Sequence, residues 1–179
     1  HFNPDPDQDG VTRRVPMLQQ FGDNYYESLS LAVLRGMFGQ PDIVPGFPER
    51  AGTMLEWLQV ADLKIPVDSS ATALIPYRGY QGSFPYISAA DILKGRVKKE
   101  ALEGAIVLIG TTAPGLMDLR STPVSAVYAG VEIHANMIAG ILDNKIMHAP
   151  SYAQGAELAS LLLGGLLLIF SLPFLGPLW

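Results

Sequence analysis

The densest run of apolar residues lies at the C-terminal end of the chain, where Glu157 is the only charged residue between positions 157 and 179. A helix needs about 20 largely apolar residues to cross the hydrocarbon core of a bilayer. The run therefore predicts a transmembrane helix, most of it in residues 158–172. Pro173 and the Gly-Pro pair that follows favour a tight turn into a second helix.

Short alternating stretches and turn residues predict β-hairpins in the part of the chain before this run. Asp9 and Gly10 form a strong turn signal because glycine tolerates positive φ, and they would join residues 1–3 to a strand within residues 11–20. A second hairpin is expected from residues 63–67 and 71–77, on either side of an Asp-Ser-Ser turn.

Apolar residues at helical spacing predict three helices, at residues 25–38, 89–93 and 131–143. Asp23 and Asn24 are expected to cap the first helix, and the spacing of Ser88 and Asp91 matches a capping box for the second. The expected buried faces are Tyr26, Leu29, Val33 and Met37 in the first helix and Val131, Ala135, Ile138 and Leu142 in the third.

One continuous apolar stretch, residues 105–109, is bounded by Gly104 and Gly110 and predicts a strand buried on both faces, as in parallel sheets. Residues 40–52 are rich in Pro and Gly and are predicted to be loop, followed by a short helix or extended turn at residues 54–58. Together these patterns predict an α/β fold, a mixed sheet covered by helices.

Composition narrows the possible functions. The net charge is −5, and Arg13-Arg14 and Lys98-Lys99 are the only basic pairs, which argues against a nucleic-acid partner. The chain has no cysteine, which excludes disulfides, thiolate metal sites and a catalytic thiol. No Ser–His–Asp order and no nucleophile elbow is present, so catalysis by this segment has no support in the sequence.

An acidic turn near the start of the chain resembles the opening of a calcium loop. Asp5, Asp7 and Asp9 alternate and Gly10 follows, but Pro16 stands where such a loop needs a bidentate glutamate. The spacing favours an ordinary polar turn, and calcium held in another geometry remains the alternative.

The loop after the apolar stretch is the best candidate for a ligand site. It lacks the lysine and the hydroxyl residue of a phosphate-binding loop. Ligands of open α/β sheets bind at the carboxyl ends of parallel strands. This rule places the candidate ligand-binding residues at Thr111, Thr112, Asp118, Arg120 and Thr122. The alternative is that these side chains satisfy the loop's own backbone.

Three polar residues, Glu132, His134 and Asn136, lie near the start of the third helix. His134 has no second histidine or cysteine at ligand spacing, so a structural hydrogen bond is a better interpretation than a metal site.

Several blocks of the sequence, over about residues 2–142, resemble the C-terminal half of a CHASE2 domain and follow one another in the family's order. They are PDPDQDGVTRRVPML, YESLSLAVLR, LIPYRG, FPYISAADILKG and GAIVLIGTTAPGLMDLRSTPVSAVYAGVEIHANMIAGIL. The last block, through GVEIHAN, is the longest and most specific.

The resemblance implies a sensor outside the cytoplasmic membrane, with residues 1–150 in the sensor and residues 151–179 in the membrane. It further implies a homodimer that responds to an unidentified stimulus and drives a cytoplasmic output, most often an adenylate or guanylate cyclase. A serine/threonine or histidine kinase output is one alternative, and a ligand-independent module that dimerises and anchors is another. In each case residues 143–151 carry any signal toward the membrane.

Overall fold

The computed structural model describes residues 6–48, 54–112, 118–148 and 152–172. The chain divides into two compact units, His1–His148 and Ala149–Trp179. The strands are β1 (Arg14–Pro16), β2 (Leu18–Phe21), β3 (Asn24–Glu27), β4 (Ile43–Gly46), β5 (Trp57–Val60), β6 (Leu63–Pro66), β7 (Thr72–Leu74), β8 (Leu119–Arg120) and β9 (Tyr128–Ala129). The helices are α1 (Leu29–Met37), α2 (Ala89–Leu93), α3 (Gly130–Leu142) and, in the second unit, α4 (Ala153–Ser171), with a 3₁₀ turn at Lys99–Ala101.

The strands of the first unit form small antiparallel sheets. β1 pairs with β7, β2 with β3, and β8 with β9, while β4, β5 and β6 form a three-stranded sheet. The α/β class is therefore confirmed, but small antiparallel sheets take the place of one mixed sheet in the described residues.

The hydrophobic core of the first unit lies where α1 and α3 pack together with the strands. Its fully buried large side chains include Met17, Leu31, Leu34, Leu58, Ile65, Tyr128, Ile133 and Met137. Both helices contribute apolar residues at helical spacing, and burial of each such side chain stabilises the fold by about 1.5–3 kcal/mol.

Helix α1 begins later than the sequence pattern indicates. Asp23 and Asn24 lie at the turn of the β2–β3 hairpin, where Gly22 has a φ of +61°. Ser28 is the actual N-cap, and its hydroxyl accepts a hydrogen bond of 3.2 Å from Leu31 N. The hairpin therefore takes the residues that were expected to form the first helical turn. Leu31 and Leu34 are the apolar residues of α1 that are fully buried. Of the predicted stripe, Val33 packs partly against the core, and Tyr26 and Met37 are exposed.

Both predicted turns form, but their flanking strands pair with other partners. At the first turn Gly10 N donates to Asp7 O at 2.8 Å, and the strand that follows pairs with β7. Residues 1–3 lie outside the described residues. At the second turn the Asp68 carboxylate accepts from Ser70 N and Thr72 N, yet β6 pairs with β5 and β7 with β1.

The region between α1 and β6 contains β4, within the predicted loop, and β5, which begins at the end of the predicted short helix or extended turn. Neither strand was predicted, and residues 49–53 lie outside the described residues. Gly46 lies opposite Trp57 in the antiparallel register. A Cβ at Gly46 would overlap the Trp57 indole, so the absence of a side chain allows the ring to lie across the neighbouring strand. Lys64 on β6 also lies over the Trp57 ring system, with Nζ 3.5 Å from a ring centroid.

The apolar stretch at residues 105–109 is not the predicted buried strand. Ile106, Val107 and Ile109 are 42%, 51% and 93% exposed. No strand among the described residues pairs with this stretch, and Leu108 is its residue that packs partly against the core.

Helices α2 and α3 confirm the sequence predictions closely. Ser88 is the N-cap of α2, although its side chain makes no capping hydrogen bond, and Gly95 follows the helix with a φ of +64°. In α3 the apolar residues that reach the core are Ile133, Met137, Ile138 and Ile141. Of the predicted stripe only Ile138 is buried, because Val131 and Ala135 are half-buried and Leu142 is exposed.

The second unit contains α4, whose leucine side chains are exposed. Within the described parts of the chain, no helix combines the length and apolar character that a membrane crossing requires. The predicted turn at Pro173 lies outside the described residues.

Two helical glycines give opposite predictions for stability. A Cβ at Gly140 would overlap Pro76 Cγ, whereas a Cβ at Gly36 meets only Gln40 Nε2 at 4.0 Å. We expect Gly140→Ala to lower the free energy of unfolding by about 1–3 kcal/mol through overpacking. We expect Gly36→Ala to raise it by about 0.5–1 kcal/mol through helix propensity. Urea unfolding followed by circular dichroism measures both, and equal effects of the same sign would contradict this packing.

Candidate functional site

Three polar side chains, Glu132, His134 and Asn136, lie on α3 and are almost completely buried, with exposures of 2%, 4% and 0%. Burial of a polar or charged group without a partner costs several kcal/mol, so each of them requires hydrogen bonds. Glu132 and Asn136 are four residues apart and share one side of the helix, while His134 points to another. The three residues therefore draw partners from different parts of the fold.

Glu132 binds the loop that precedes α2. Gly82 N donates to both carboxylate oxygens at 3.0 Å, and Tyr86 Oη donates to Oε2 at 2.6 Å. Burial raises the pKa of Tyr86, and its hydrogen bond to the Glu132 carboxylate raises it further. Tyr86 therefore stays a proton donor across physiological pH, and the loop is fixed to the helix by charge-assisted hydrogen bonds.

Asn136 joins the start of the same loop to the strand before α3. Its Oδ1 accepts from Arg78 N at 3.0 Å, and its Nδ2 donates to Tyr128 Oη and to Glu132 O, both at 2.8 Å. The Arg78 guanidinium also pairs with Asp143, just beyond the end of α3. The loop is thus held to α3 near both ends of the helix.

His134 connects α3 to α1, where Ser30 Oγ lies 2.9 Å from its Nδ1. Burial lowers the pKa of His134, so the ring is neutral at pH 7 and suits a hydrogen bond inside the core. The predicted structural hydrogen bond is confirmed.

A cavity of about 600 Å³ lies beside Glu132, between the loop at residues 84–89, the extended segment at residues 106–112 and the start of α3. We call it the α3 cavity. Ile106, Leu108, Gly110 and Thr112 line it in alternation, as expected for an extended segment whose alternate residues share a face. A cavity of this size can hold a small molecule.

The absence of a side chain at Gly110 determines how closely this segment approaches the helix. A Cβ at Gly110 would overlap the side chain of Val131 in the first turn of α3. The segment can therefore lie directly against the helix, which closes one side of the α3 cavity.

The five predicted ligand-binding residues do not share one place in the structure. Thr112 lines the α3 cavity and Thr111 is an exposed neighbour, whereas Asp118, Arg120 and Thr122 are not part of its described lining. Arg120 lies in β8, opposite Tyr128 in β9.

Asp118 and Thr122 interact with backbone close to them. Asp118 O accepts from Gly130 N at 2.8 Å, at the start of α3. The Thr122 hydroxyl donates to Ser125 O at 2.9 Å and accepts from Ser125 N at 3.1 Å. For Thr122 this matches the alternative interpretation, in which the side chain satisfies its own loop.

Sequence reasoning missed the connection of Tyr86 with Glu132. The two residues are 46 positions apart, and an isolated tyrosine in a loop carries no signal of its own. The i,i+4 spacing of Glu132 and Asn136 on a helix with an otherwise apolar face was the available signal.

The acidic turn is held by a guanidinium group. Arg13 Nη1 lies 2.8 Å from Asp7 Oδ2, and Arg13 Nη2 lies 2.8 Å from Asp9 Oδ2. Hydrogen bonding to Arg13 lowers the pKa of Asp9 to about 2. Asp5 lies outside the described residues, and among those described no group of three potential metal ligands occurs. A calcium ion would have to compete with Arg13, and the calcium prediction stays a prediction.

Comparison with known proteins gives one match. The family model described as the CHASE2 domain matches residues 1–171. No curated protein and no solved structure matches the chain.

The hydrogen bond from Tyr86 to Glu132 gives a testable stability difference within one loop. Tyr86→Phe removes a donor from a buried carboxylate, and we expect it to lower the free energy of unfolding by about 1–2 kcal/mol. Tyr80→Phe makes the same chemical change at a side chain that is 78% exposed, and it should change stability by less than about 0.5 kcal/mol. Urea denaturation compares the two, and equal losses would show that the bond is not formed.

Proposed function

Since the chain belongs to the CHASE2 family, whose domains are extracytoplasmic sensors of signalling receptors, we propose that its receptor is a membrane-bound class III adenylate or guanylate cyclase. In this proposal the first unit is the sensory head outside the cytoplasmic membrane, α4 belongs to the membrane region, and the receptor works as a homodimer. The head itself performs no catalysis, and its output is a cyclic nucleotide made by another part of the receptor.

The observation that carries the sensory role is the contact of Glu132 with the loop that forms one wall of the α3 cavity. Glu132 and Tyr86 both line the cavity, and they are hydrogen-bonded to each other. A molecule in the cavity would therefore act on the contact between loop and helix. A stimulus can shift a conformational equilibrium only by binding the two states differently, and this contact offers such a difference.

The end of α3 supports transmission along the chain. Lys145 N donates to Gly140 O at 2.8 Å, and Asn144 has a φ of +53°, which together close the helix with a left-handed turn. Ile146 packs against the hydrophobic core. A change at α3 therefore reaches residues 143–148 through direct contacts, and these residues lead covalently toward α4.

The composition of α4 supports a membrane environment. Glu157 is its single charged residue, and leucines such as Leu161 and Leu167 are 74% and 68% exposed. Exposed apolar side chains are unfavourable in water and favourable in hydrocarbon. Gly164 and Gly165 have open space around them, and small residues of this kind let a second helix approach closely, which supports a dimer.

The proposal is tested by producing the receptor that carries this head in a bacterial strain without cyclases of its own. We expect membranes from these cells to form cyclic AMP or cyclic GMP from the nucleoside triphosphate. Protein phosphorylation without cyclic nucleotide would contradict the cyclase and indicate the kinase alternative.

Two paired variants test the transmission route in the same assay. Lys145→Gly combined with Met147→Gly should shift cyclic-nucleotide formation away from the wild-type level at unchanged receptor abundance, because glycine loosens the segment. Lys145→Ala combined with Met147→Ala is the matched control and should stay near wild type. Equal output from the two would contradict a signal that passes through this segment and would favour an anchoring role for the head.

A further inference from the structure

A second cavity, of about 830 Å³, lies between the β2–β3 hairpin, strands β4 and β5, and the turn at residues 69–71. We call it the hairpin cavity. It shares no described lining residue with the α3 cavity. Its volume falls within the range of small-molecule sites, and its wall combines aromatic side chains with one ion pair.

The aromatic wall consists of Tyr25 and Phe47, which line the cavity. These side chains are 69% and 48% exposed although a hydrophobic core is available in the same unit. Tyr25 lies on β3, on the same face of the strand as Glu27, and Phe47 follows β4, whereas the Tyr26 ring lies on the opposite face against Phe21. Large aromatic surfaces that converge on one cavity are typical of a site that buries an apolar ligand.

The ion pair joins Glu27 at the end of β3 to Arg35 in α1, with Arg35 Nη1 2.9 Å from Glu27 Oε2. Only 25% and 21% of these side chains are exposed. Arg35 Nε donates to Pro41 O at 2.8 Å. No hydrogen bond joins Arg35 Nη2 or Glu27 Oε1 to another described residue. The pair therefore presents one donor edge and one acceptor oxygen, side by side and partly removed from water.

This combination selects among ligand classes. A simple anion would be attracted by Arg35 but repelled by the negative charge of Glu27. A simple cation would be attracted by Glu27 but repelled by Arg35. A neutral apolar ligand would cover both groups without a hydrogen bond, which costs free energy. A zwitterion whose opposite charges lie close together satisfies both groups at once.

We propose that the hairpin cavity binds a free α-amino acid with an aromatic side chain. Its ammonium group donates to Glu27, its carboxylate accepts from Arg35, and its ring packs against Tyr25 and Phe47. Charge-assisted hydrogen bonds fix the backbone of the ligand, and the aromatic wall selects its side chain.

Isothermal titration calorimetry of the full chain in mild detergent tests this proposal with three probes. They are L-phenylalanine, phenethylamine, which lacks the carboxylate, and 3-phenylpropionate, which lacks the ammonium group. We expect phenylalanine to bind about 10- to 100-fold more tightly than either analogue, since each analogue lacks the group that would hydrogen-bond to one member of the ion pair. Equal affinities, or no binding of phenylalanine at millimolar concentration, would overturn the proposal.

Variants identify the groups involved. Glu27→Gln should weaken phenylalanine binding about tenfold or more and leave 3-phenylpropionate binding unchanged or tighter, because the repulsion of its carboxylate is removed. Glu103→Gln makes the same change at an exposed position outside the cavity and should have no effect. Equal effects of the two on phenylalanine binding would contradict a role for Glu27.

A further variant keeps the test decisive if Glu27→Gln fails to fold. Tyr25→Ala changes a side chain that is 69% exposed, so circular dichroism should show an intact fold while phenylalanine binding weakens severalfold. Unchanged affinity would overturn the site. Failure of this proposal leaves the cyclase proposal standing, because the α3 cavity has different residues.

Discussion

The head of this protein depends on the burial of three polar side chains on one helix. Glu132, His134 and Asn136 leave water almost completely when α3 packs, and this is favourable only if each finds hydrogen-bond partners. The partners come from separate segments of the chain, namely α1, the loop at residues 78–86, and β9. The correct arrangement of these segments is thus a condition for burying the helix.

The same constraint links folding to sensing. A purely apolar helix face would hold the neighbouring segments only through buried surface area. A small displacement of a segment would then cost little free energy. Buried charge-assisted hydrogen bonds lose most of their value when the partner moves by an ångström, so the contact between loop and helix favours discrete arrangements. In the proposed receptor a ligand beside Glu132 acts on that contact, and the fixed segment after α3 passes the change onward.

Local signals in the sequence predicted only part of this fold. Helices α2 and α3 were predicted well because serine, glycine and apolar spacing mark their limits within a few residues of the chain. The pairing of the strands was not predicted, because β1 pairs with β7, which lies far along the chain, and no local sequence pattern indicates that pairing. Residues 105–109 show the same limit of local sequence patterns. Their apolar side chains indicate that the segment could be a buried strand, but burial also requires neighbouring strands, which depend on the tertiary fold.

The candidate site likewise contains residues that the sequence could predict and residues that it could not. His134 could be identified from its position on a predicted helix, as a core hydrogen bond. Thr112 lines a cavity, although the buried strand on which its prediction rested does not form. The contact of Tyr86 with Glu132, and the cavity that Glu27 shares with Tyr25 and Arg35, depend on tertiary packing. In α1, a hairpin turn displaced the expected N-cap because Gly22 takes positive φ, and this moved Tyr25 and Tyr26 from a helix to a strand.

Amide hydrogen exchange at Arg78 and Gly82 is the most direct test of the central claim. Both lie in a loop, and each amide donates 3.0 Å to a buried side chain of α3. We expect these two amides to exchange as slowly as the core amides of α3, since their hydrogen bonds open only when the contact between loop and helix opens. Exchange as fast as that of an exposed loop amide such as Gln81 would contradict the claim that α3 holds this loop.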